Sequence, residues 1–243
     1  MHIIKLSATD STNSYLRNKS LKELVQDYTV IVTDHQTKGR GQMGTKWNSQ
    51  AGKNLVFSVF KDVRSLCIEY PFYLSMITSL SIKSVLKKIN VPNIRIKWPN
   101  DIMSDNKKIC GVLIENVYKK NKLNSSIIGI GLNVNQTQFT ELPQASSLKL
   151  QTGVHFNSTE LLIMILDELK INFSLYDNGH LQDIKKEYET NLFSIDKASK
   201  FKSAHGNMFS GYIKGIADSG KLKILTEGRE IKEFDLKEVQ LLY

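Results

Sequence analysis

Residues 94–134 read IRIKWPNDIMSDNKKICGVLIENVYKKNKLNSSIIGIGLNV, and the order of elements in this stretch decides the fold. The alternation of apolar residues in 94–98 predicts a strand, and Pro99-Asn100-Asp101 predicts a turn. Two runs rich in β-branched residues, 109–117 and 126–134, predict two further strands. Glycines stand inside these runs at Gly111, Gly129 and Gly131. Because strand glycines often mark a close approach by a ligand or another backbone, we expect a sheet with an accessible surface.

More strands and helices are predicted on the N-terminal side of this stretch. Strand patterns cover residues 2–6, 28–33 and 55–60, and a helix is expected to begin near Ser11, a residue type that caps helices. Pro71 suits the first turn of a helix that reaches residue 89 with a 3.6-residue apolar pattern. The fold class expected is therefore α/β, with one mixed sheet flanked by helices.

The C-terminal third changes character along its length. Asn157 followed by Glu160 resembles a capping box and opens a predicted helix. Its apolar residues recur every four positions, at Leu161, Ile165, Leu169 and Phe173. A second helix is predicted over 180–190, and short strands separated by turn residues follow from about residue 200. We expect a catalytic domain over 1–190 and a small β-barrel domain over 191–243.

Composition excludes several classes of protein. With 41% hydrophobic residues, 23% charged residues, 14 Gly and 4 Pro in 243 residues, the chain matches an ordinary globular protein. The longest apolar run, Leu161–Leu166, is far shorter than the roughly 20 residues of a membrane-spanning helix, so we expect no membrane partner. The two cysteines lie far apart in sequence, at Cys67 and Cys110. They predict free thiols and a reducing, cytoplasmic location.

The net charge of +9 predicts anionic partners, and residues 38–52 concentrate part of it in what we call the glycine loop. Its Gly39-Arg40-Gly41-Gln42-Met43-Gly44 satisfies GxGxxG. A dinucleotide-binding motif must open a helix, however, and the residues after Gly44 are polar and aperiodic. A Walker A loop fails as well, because Asn54 follows Lys53. The glycine loop is expected to be mobile, to lack apolar anchors and to close over an anion once that anion binds.

Four motifs in a fixed order carry a more specific signal. They are Gly39-Arg40-Gly41, Lys97-Trp98-Pro99-Asn100-Asp101, Lys108-Ile109-Cys110-Gly111 and Gly129-Ile130-Gly131-Leu132-Asn133-Val134-Asn135. In this order and spacing the chain resembles the biotin protein ligase family, the biotin-[acetyl-CoA-carboxylase] ligases. The resemblance extends to Ser11-Thr12-Asn13 and Gln36 and weakens after about residue 145.

This resemblance implies a fold and a two-step reaction. The fold is the mixed α/β catalytic domain of the class II aminoacyl-tRNA synthetase and biotin ligase type, followed by an SH3-like barrel. The reaction joins biotin to the α-phosphate of Mg-ATP, releasing pyrophosphate and forming biotinyl-5′-AMP. A lysine of a biotin carboxyl carrier protein or domain, from acetyl-CoA carboxylase or a related carboxylase, then takes the biotinyl group. The cofactors and substrates expected are therefore ATP, Mg²⁺ and biotin.

The expected catalytic residues are Lys108, Arg40 and Asp101. Attack of one anion on another needs cations that offset repulsion and stabilise the charge of the transition state. By resemblance, the Lys108 ammonium contacts the biotin carboxyl group and the α-phosphate, and Arg40 is a suitable phosphate partner. Two roles stay open for Asp101: binding Mg²⁺ through water, or orienting the attacking lysine amine.

The remaining expected site residues bind the substrates. Short polar groups match the neutral ureido ring of biotin, the loop residues and tryptophans surround the nucleotide, and the strand glycines leave room for the bicyclic ring. The set is Ser11, Thr12, Asn13, Gln36, Gly39, Gly41, Gln42, Trp47, Lys97, Asn100, Gly111, Gly129, Gly131 and Asn133. Trp98 is expected to flank the adenine with Trp47, and Asn133 to bond its edge.

The chain departs from the family pattern in two respects. Gln42 and Thr45 stand where the family often has cations, so we expect looser retention of the adenylate. Some bacterial members carry an N-terminal winged helix-turn-helix that represses transcription. Here the Ser11 motif begins ten residues into the chain, and we expect no DNA-binding domain and no specific DNA binding.

Two other functions compete with biotin ligation. A lipoate protein ligase belongs to the same superfamily, and the Lys97–Asp101 motif favours biotin over it. A non-enzymatic, basic nucleic-acid-binding module is an alternative of a different class, and it predicts binding that falls steeply with salt.

Overall fold

A computed structural model of the chain describes residues 1–140 and 142–243. The strands are β1 His2–Thr9, β2 Thr29–Gln36, β3 Leu55–Asp62, β4 Ile94–Lys97, β5 Asp101–Ser104, β6 Lys107–Lys119, β7 Lys122–Leu132, β8 Ala198–Ser203, β9 Met208–Ile216, β10 Leu222–Thr226, β11 Ile231–Phe234 and β12 Val239–Leu242. The helices are α1 Thr12–Lys22, α2 Phe72–Lys88, α3 Leu148–Thr152, α4 Ser158–Asp177 and α5 Leu181–Thr190. A single 3₁₀ turn lies at Gln42–Gly44.

The larger sheet has seven strands in the order β1-β2-β3-β7-β6-β5-β4. Only the β1–β2 pair is parallel, and the other neighbours are antiparallel, which confirms the predicted mixed sheet. Every strand predicted over residues 2–134 is present. Strand β5 was not predicted, because Ile102 and Met103 are both fully buried and so leave no apolar–polar alternation to detect.

The two faces of the sheet carry different helices. On one face α1 packs Leu16 against Ile31 and Phe60. Two leucines of the same stretch stay in solvent: Leu21 is 75% exposed, and Leu24, beyond the end of the helix, is 94% exposed. The opposite face is covered by α2 and α4, which pack on each other in the main core. The α1 face is therefore only partly covered.

Helix α4 begins as its capping pattern predicts. The Asn157 side-chain oxygen accepts hydrogen bonds from the backbone N–H groups of Thr159 and Glu160. Its predicted apolar residues, Leu161, Ile165, Leu169 and Phe173, are all buried. Burial of each contributes roughly 1.5–3 kcal/mol to folding, so this stripe fixes the helix against the sheet.

The short strands expected at the C-terminus are present, and residues 198–242 form a five-stranded antiparallel sheet in the order β11-β10-β9-β8-β12. Phe209 stacks between Phe201 and Phe234, with ring centroids 5.3 and 5.6 Å away. Hydrogen bonds tie this sheet and its β9–β10 turn to the preceding elements: for example, Trp98 Nε1 donates to the Gly220 carbonyl at 2.9 Å, and the Ile216 amide donates to Glu189 Oε1 at 2.9 Å.

In the part of the chain described, no helix combines the length and apolar character needed to cross a bilayer. Both cysteines are free, Cys67 exposed and Cys110 buried, as their spacing predicts. Burial raises the pKa of the Cys110 thiol, so this group stays protonated.

Candidate active site

A cavity of about 780 Å³ opens on the α1 face of the larger sheet. Its floor is formed by β6 and β7, where Gly111 pairs with Gly131 across the strands and Gly129 pairs with Leu113. The turn between β4 and β5, the start of α1 and the glycine loop form its sides, and the C-terminal sheet completes the wall. The site thus lies where the sheet has no helix over it.

The cavity brings together all but two of the predicted site residues. Those that line it are Ser11, Thr12, Asn13, Gln36, Arg40, Gly41, Gln42, Trp47, Lys97, Asn100, Asp101, Lys108, Gly111, Gly129 and Gly131. Gly39 and Asn133 lie outside the lining. Gly39 serves the loop itself, because a Cβ there would fall 2.3 Å from the Trp47 carbonyl oxygen. Asn133 donates to the Ser146 carbonyl at 2.9 Å, and its buried Oδ1 has no hydrogen-bond partner among the described residues.

The start of α1 supplies a buried network of neutral polar groups. Ser11 caps the helix, its hydroxyl accepting from the Ser14 amide. The Thr12 amide and hydroxyl donate to Gln36 Oε1 at 2.8 and 3.1 Å, which leaves the Gln36 amide nitrogen as a donor beside the cavity. Ser58 Oγ lies 2.7 Å from Thr12 Oγ1. The network holds these groups in one arrangement and carries no net charge.

Asn13 continues this network onto the floor. Its Oδ1 lies 2.6 Å from Ser58 Oγ, and its amide nitrogen donates to Glu115 Oε2 at 2.8 Å. A Cβ added to Gly129 would fall only 2.3 Å from Asn13 Oδ1. Glycine is therefore required at 129 for the asparagine to lie flat on β7.

Lys108 reaches the cavity because of a β-bulge. Cys110 pairs with Ile102 of β5, but the next pair joins Lys108 to Met103, so Ile109 has no partner of its own. The extra residue turns the Lys108 side chain to the face that carries Gly111, although the two residues are an odd number of positions, three, apart. Its Nζ lies 2.6 Å from Asp101 Oδ1. The two expected catalytic groups therefore form an ion pair on the cavity wall.

The β4–β5 turn is fixed from several sides. Asn100 donates its side-chain amide to the Val112 carbonyl at 2.6 Å, tying the turn to β6. Trp98 lines the cavity, but its ring N–H is committed to the C-terminal sheet. The Lys97 ammonium lies 4.9 Å from the centroid of the Tyr243 ring. Burial lowers the pKa of Lys97, and the nearby Asp101 carboxylate opposes that shift.

The glycine loop is anchored in this structure, and the expectation that it lacks an apolar anchor is wrong. A Cβ placed on Gly131 would lie 2.6–2.9 Å from three atoms of the Trp47 indole, so the ring rests directly on the glycine floor. The Lys108 ammonium lies 5.6 Å from the ring centroid. Trp47 Nε1 is buried without a hydrogen-bond partner among the described residues. Trp47 thus occupies space above the glycines that a ring-shaped ligand would also use.

Ser58 and Glu115 support the site from behind its lining, and neither was predicted from the sequence. The cavity-lining residues Lys202, Lys237 and Gln240 were not predicted either. Ser58 stands alone in the apolar run Leu55–Phe60 and is fully buried, and Glu115 is the only acid in the predicted strand 109–117. The available signal for Ser58 and Glu115 was a polar residue in a mainly apolar strand. Their partners could not be inferred, because those partners lie far away in sequence.

Comparisons with known proteins agree with this geometry. The model of the Biotin/lipoate A/B protein ligase family matches residues 6–133. The chain is 29% identical over 241 residues to the bifunctional ligase/repressor BirA of Bacillus subtilis, covering 97% of this chain and 72% of that protein. It is 28% identical over 230 residues to the biotin–[acetyl-CoA-carboxylase] ligase of Mycobacterium tuberculosis, covering 93% and 84%.

Solved structures extend the similarity to the whole fold. The biotin protein ligase from Aquifex aeolicus in complex with biotin and ATP superposes with a TM-score of 0.83 at 30% identity. The superposition covers 99% of this chain and 98% of that one, so it includes the C-terminal sheet as well as the larger one.

Proposed function

This chain belongs to the biotin/lipoate A/B protein ligase family, and we propose that its cavity activates biotin with ATP and transfers it to a carrier lysine. The relatives named above are biotin ligases, and this supports biotin over lipoate as the acid. One observation carries the proposal. The Ile109 bulge places the Lys108 ammonium on the same glycine floor as the neutral network of Thr12, Asn13 and Gln36.

Two groups of residues at the floor match the two ends of the biotin molecule. The neutral ureido ring needs donors and acceptors without charge, which the network at the start of α1 supplies. The carboxylate at the other end of biotin needs a cation, which Lys108 supplies. Entry of the bicyclic ring over Gly129 and Gly131 requires the Trp47 indole to shift, so we infer that the glycine loop rearranges when biotin binds.

In the first step a carboxylate oxygen of biotin attacks the α-phosphorus of ATP. A new P–O bond forms while the bond to pyrophosphate breaks, and biotinyl-5′-AMP results. Both reactants are anions, so the Lys108 and Arg40 charges lower the repulsion between them and stabilise the charge on the phosphoryl oxygens. Asn133 lies behind the lining of the cavity, and its Oδ1, an acceptor with no partner among the described residues, suits the exocyclic amine of adenine.

Magnesium is expected to enter bound to ATP as part of that substrate. Asp101 is the sole acid among the described residues that line the cavity, and it already pairs with Lys108. No group of three or more His, Cys, Asp or Glu side chains in the described chain is arranged to hold a metal ion. Because Mg²⁺ prefers six oxygen ligands, the phosphates and water must provide most of them. The ion pair favours the orienting role of Asp101 over the metal-binding one.

In the second step the acceptor lysine amine attacks the acyl carbon of biotinyl-5′-AMP. The C–N bond forms, the bond to AMP breaks, AMP leaves, and the proton of the amine passes to water. In this proposal Asp101, whose Oδ1 lies 2.6 Å from the Lys108 ammonium, accepts a hydrogen bond from that amine. The acceptor belongs to a biotin carboxyl carrier domain in this proposal, and the reaction is placed in the cytoplasm, where carboxylases and free thiols coexist.

The two-domain division is also part of the proposal. We place the catalytic domain at residues 1–190 and the SH3-like domain at 191–243. The second contributes Lys202, Lys237 and Gln240 to the cavity wall, which supports a share in binding anionic substrates. Neither lysine forms an ion pair with an acid of the described chain.

Exchange of labelled pyrophosphate into ATP tests the first step directly. We expect exchange that depends on biotin and Mg²⁺, with lipoate supporting it at less than a tenth of the rate. Exchange driven by lipoate and not by biotin would replace the proposed substrate with the competing one. Absence of exchange with both biotin and lipoate would contradict the proposed reaction.

The glycine loop should become protected from proteases when substrates bind. Ordering a residue costs about 1–2 kcal/mol of conformational entropy. Before ligand contacts exist, the Trp47 indole on Gly131 and the Arg40–Glu115 pair hold this loop to the floor. We therefore expect limited trypsin digestion at Lys38, Arg40 and Lys46 to slow at least fivefold with biotin plus ATP. Cleavage at Lys119 or Lys120, in the distant β6–β7 hairpin, serves as the internal control. Equal cleavage of the glycine loop with and without substrates would contradict its closure.

Gln42→Arg should slow the release of biotinyl-5′-AMP. Gln42 lines the cavity and begins the 3₁₀ turn, so an arginine there reaches the same space with a charge-assisted donor. We expect the dissociation rate of the adenylate to fall at least threefold, measured by stopped-flow chase. Gln50→Arg makes the same substitution at an exposed position of the glycine loop that does not line the cavity, and it should change the rate less than 1.5-fold. An unchanged rate in Gln42→Arg would show that the missing cation does not limit retention.

A further inference from the structure

Glu115 is the most connected acidic side chain near the cavity, and the reaction proposed above gives it no task. It lies on β6 opposite Ile127, on the same face as Gly111. Its Oε2 accepts from Arg40 Nη2 at 2.9 Å and from Asn13 Nδ2 at 2.8 Å, and its Oε1 lies 3.7 Å from Arg17 Nη1. The side chain is 19% exposed. One carboxylate thus joins the glycine loop, helix α1 and the floor.

Its pair with Arg40 differs from the other ion pair of the glycine loop. Among the described residues the loop forms two such pairs, Lys38 with Asp10 and Arg40 with Glu115. The first is open to water, with side chains 78% and 63% exposed. Water screens an exposed pair and leaves its side chains loosely held, whereas a partly buried pair with a shared hydrogen-bond network holds its geometry more firmly. The Glu115 pair is the one suited to fixing a side chain in place.

The contacts of Arg40 show which part of its guanidinium Glu115 holds. A guanidinium presents five N–H donors in one plane. Glu115 accepts from Nη2, and no described protein group accepts from the remaining nitrogens. Arg40 lines the cavity and Glu115 does not. The carboxylate therefore holds one edge of the guanidinium outside the cavity and leaves the other edge for an anion inside it.

We propose that Glu115 is a positioning residue that orients Arg40 toward the phosphate groups of ATP. This inference rests on the proposed function. Glu115 touches no reacting atom, and it acts only by setting where the Arg40 charge lies. Without Glu115, ATP itself must order the Arg40 side chain. The conformational entropy lost in that ordering weakens ATP binding and lowers the rate of the reaction.

The test uses biotin-dependent pyrophosphate exchange with the full-length protein. Glu115→Gln removes the charge but keeps an oxygen that accepts from Asn13, and we expect it to lower kcat/KM for ATP at least fivefold. Asp10→Asn likewise replaces a carboxylate by an amide, in the exposed pair of the glycine loop, and its kcat/KM for ATP should stay within twofold of the parent value. In an Arg40→Ala background, Glu115→Gln should have less than a twofold further effect, because the group it positions is gone.

Each other outcome counts against the proposal. Kinetics of Glu115→Gln within twofold of the parent, or an undiminished effect in the Arg40→Ala background, would overturn it. Glu115→Asp keeps the charge but withdraws it from Arg40, and it should lower kcat/KM at least threefold. If circular dichroism shows that both Glu115 variants are unfolded, Glu115 belongs to the fold and the proposal fails. Absence of biotin-dependent exchange in the parent would instead remove the proposed function.

Discussion

Lys108→Ala should lower the rate of biotinyl-5′-AMP formation more than tenfold and leave the fold intact. The bulge at Ile109 turns this ammonium onto the cavity floor, 2.6 Å from Asp101, where two anionic reactants must meet. Charged groups aimed at a transition state in comparable sites are worth about 2–4 kcal/mol. The side chain is 32% exposed, so its removal leaves no sealed void in the core. Single-turnover formation of labelled adenylate measures the effect.

Lys107→Ala provides the matched control for this prediction. Lys107 is adjacent in sequence, but the bulge does not turn it into the cavity, and its ammonium donates to the Pro143 carbonyl instead. Its variant should form adenylate within twofold of the parent rate. If Lys108→Ala also stays within twofold, Lys108 is not the cation that joins the two substrates.

Gly129→Ala should raise the KM for biotin more than tenfold and also destabilise the protein. The added methyl group would fall 2.3 Å from Asn13 Oδ1 and 2.9 Å from its Cγ. Asn13 cannot yield freely, because Ser58, the Leu113 carbonyl and Glu115 all hold its amide. Overpacking of this kind costs about 1–3 kcal/mol, and we expect the free energy of unfolding to drop by that amount. Urea denaturation and exchange kinetics measure the two effects.

Two other glycines separate these effects. In Gly131→Ala the three atoms nearest the added methyl group all belong to the Trp47 indole of the glycine loop, so we expect weaker biotin binding with stability changed by less than about 0.5 kcal/mol. Gly228→Ala adds a methyl group in an exposed turn, 4.0 Å from Thr226 Oγ1, and should change neither quantity. Normal biotin binding by Gly129→Ala would show that the position of Asn13 does not matter for the site.

Most of the strands and helices could be predicted from the sequence because their signals are local. Alternation, capping residues and strand glycines are features of a few neighbouring residues, and the predicted helix starts at Ser11 and Asn157 are present. The motifs also brought most of the site together, since β6 and β7 are antiparallel neighbours and their glycines must meet across the pair.

What the sequence could not supply depends on contacts between distant residues. The unpaired Ile109 turns Lys108 onto the floor, and no local pattern marks a bulge inside a run of apolar residues. The Arg40–Glu115 pair joins residues 75 positions apart. Trp47 was predicted as a ligand-binding residue, but its contact with Gly131 depends on how the polar glycine loop folds over the sheet. In each case a tertiary contact decides the direction of a side chain.

The most direct test of biotin ligation is transfer of labelled biotin to protein. The chain is incubated with labelled biotin, Mg-ATP and an apo biotin carboxyl carrier domain, beside the same domain with its acceptor lysine changed to arginine. We predict label on the intact domain, dependent on ATP, with one biotin per molecule and none on the arginine variant. Failure to label the intact domain under conditions where a known biotin ligase labels it fully would contradict the assignment.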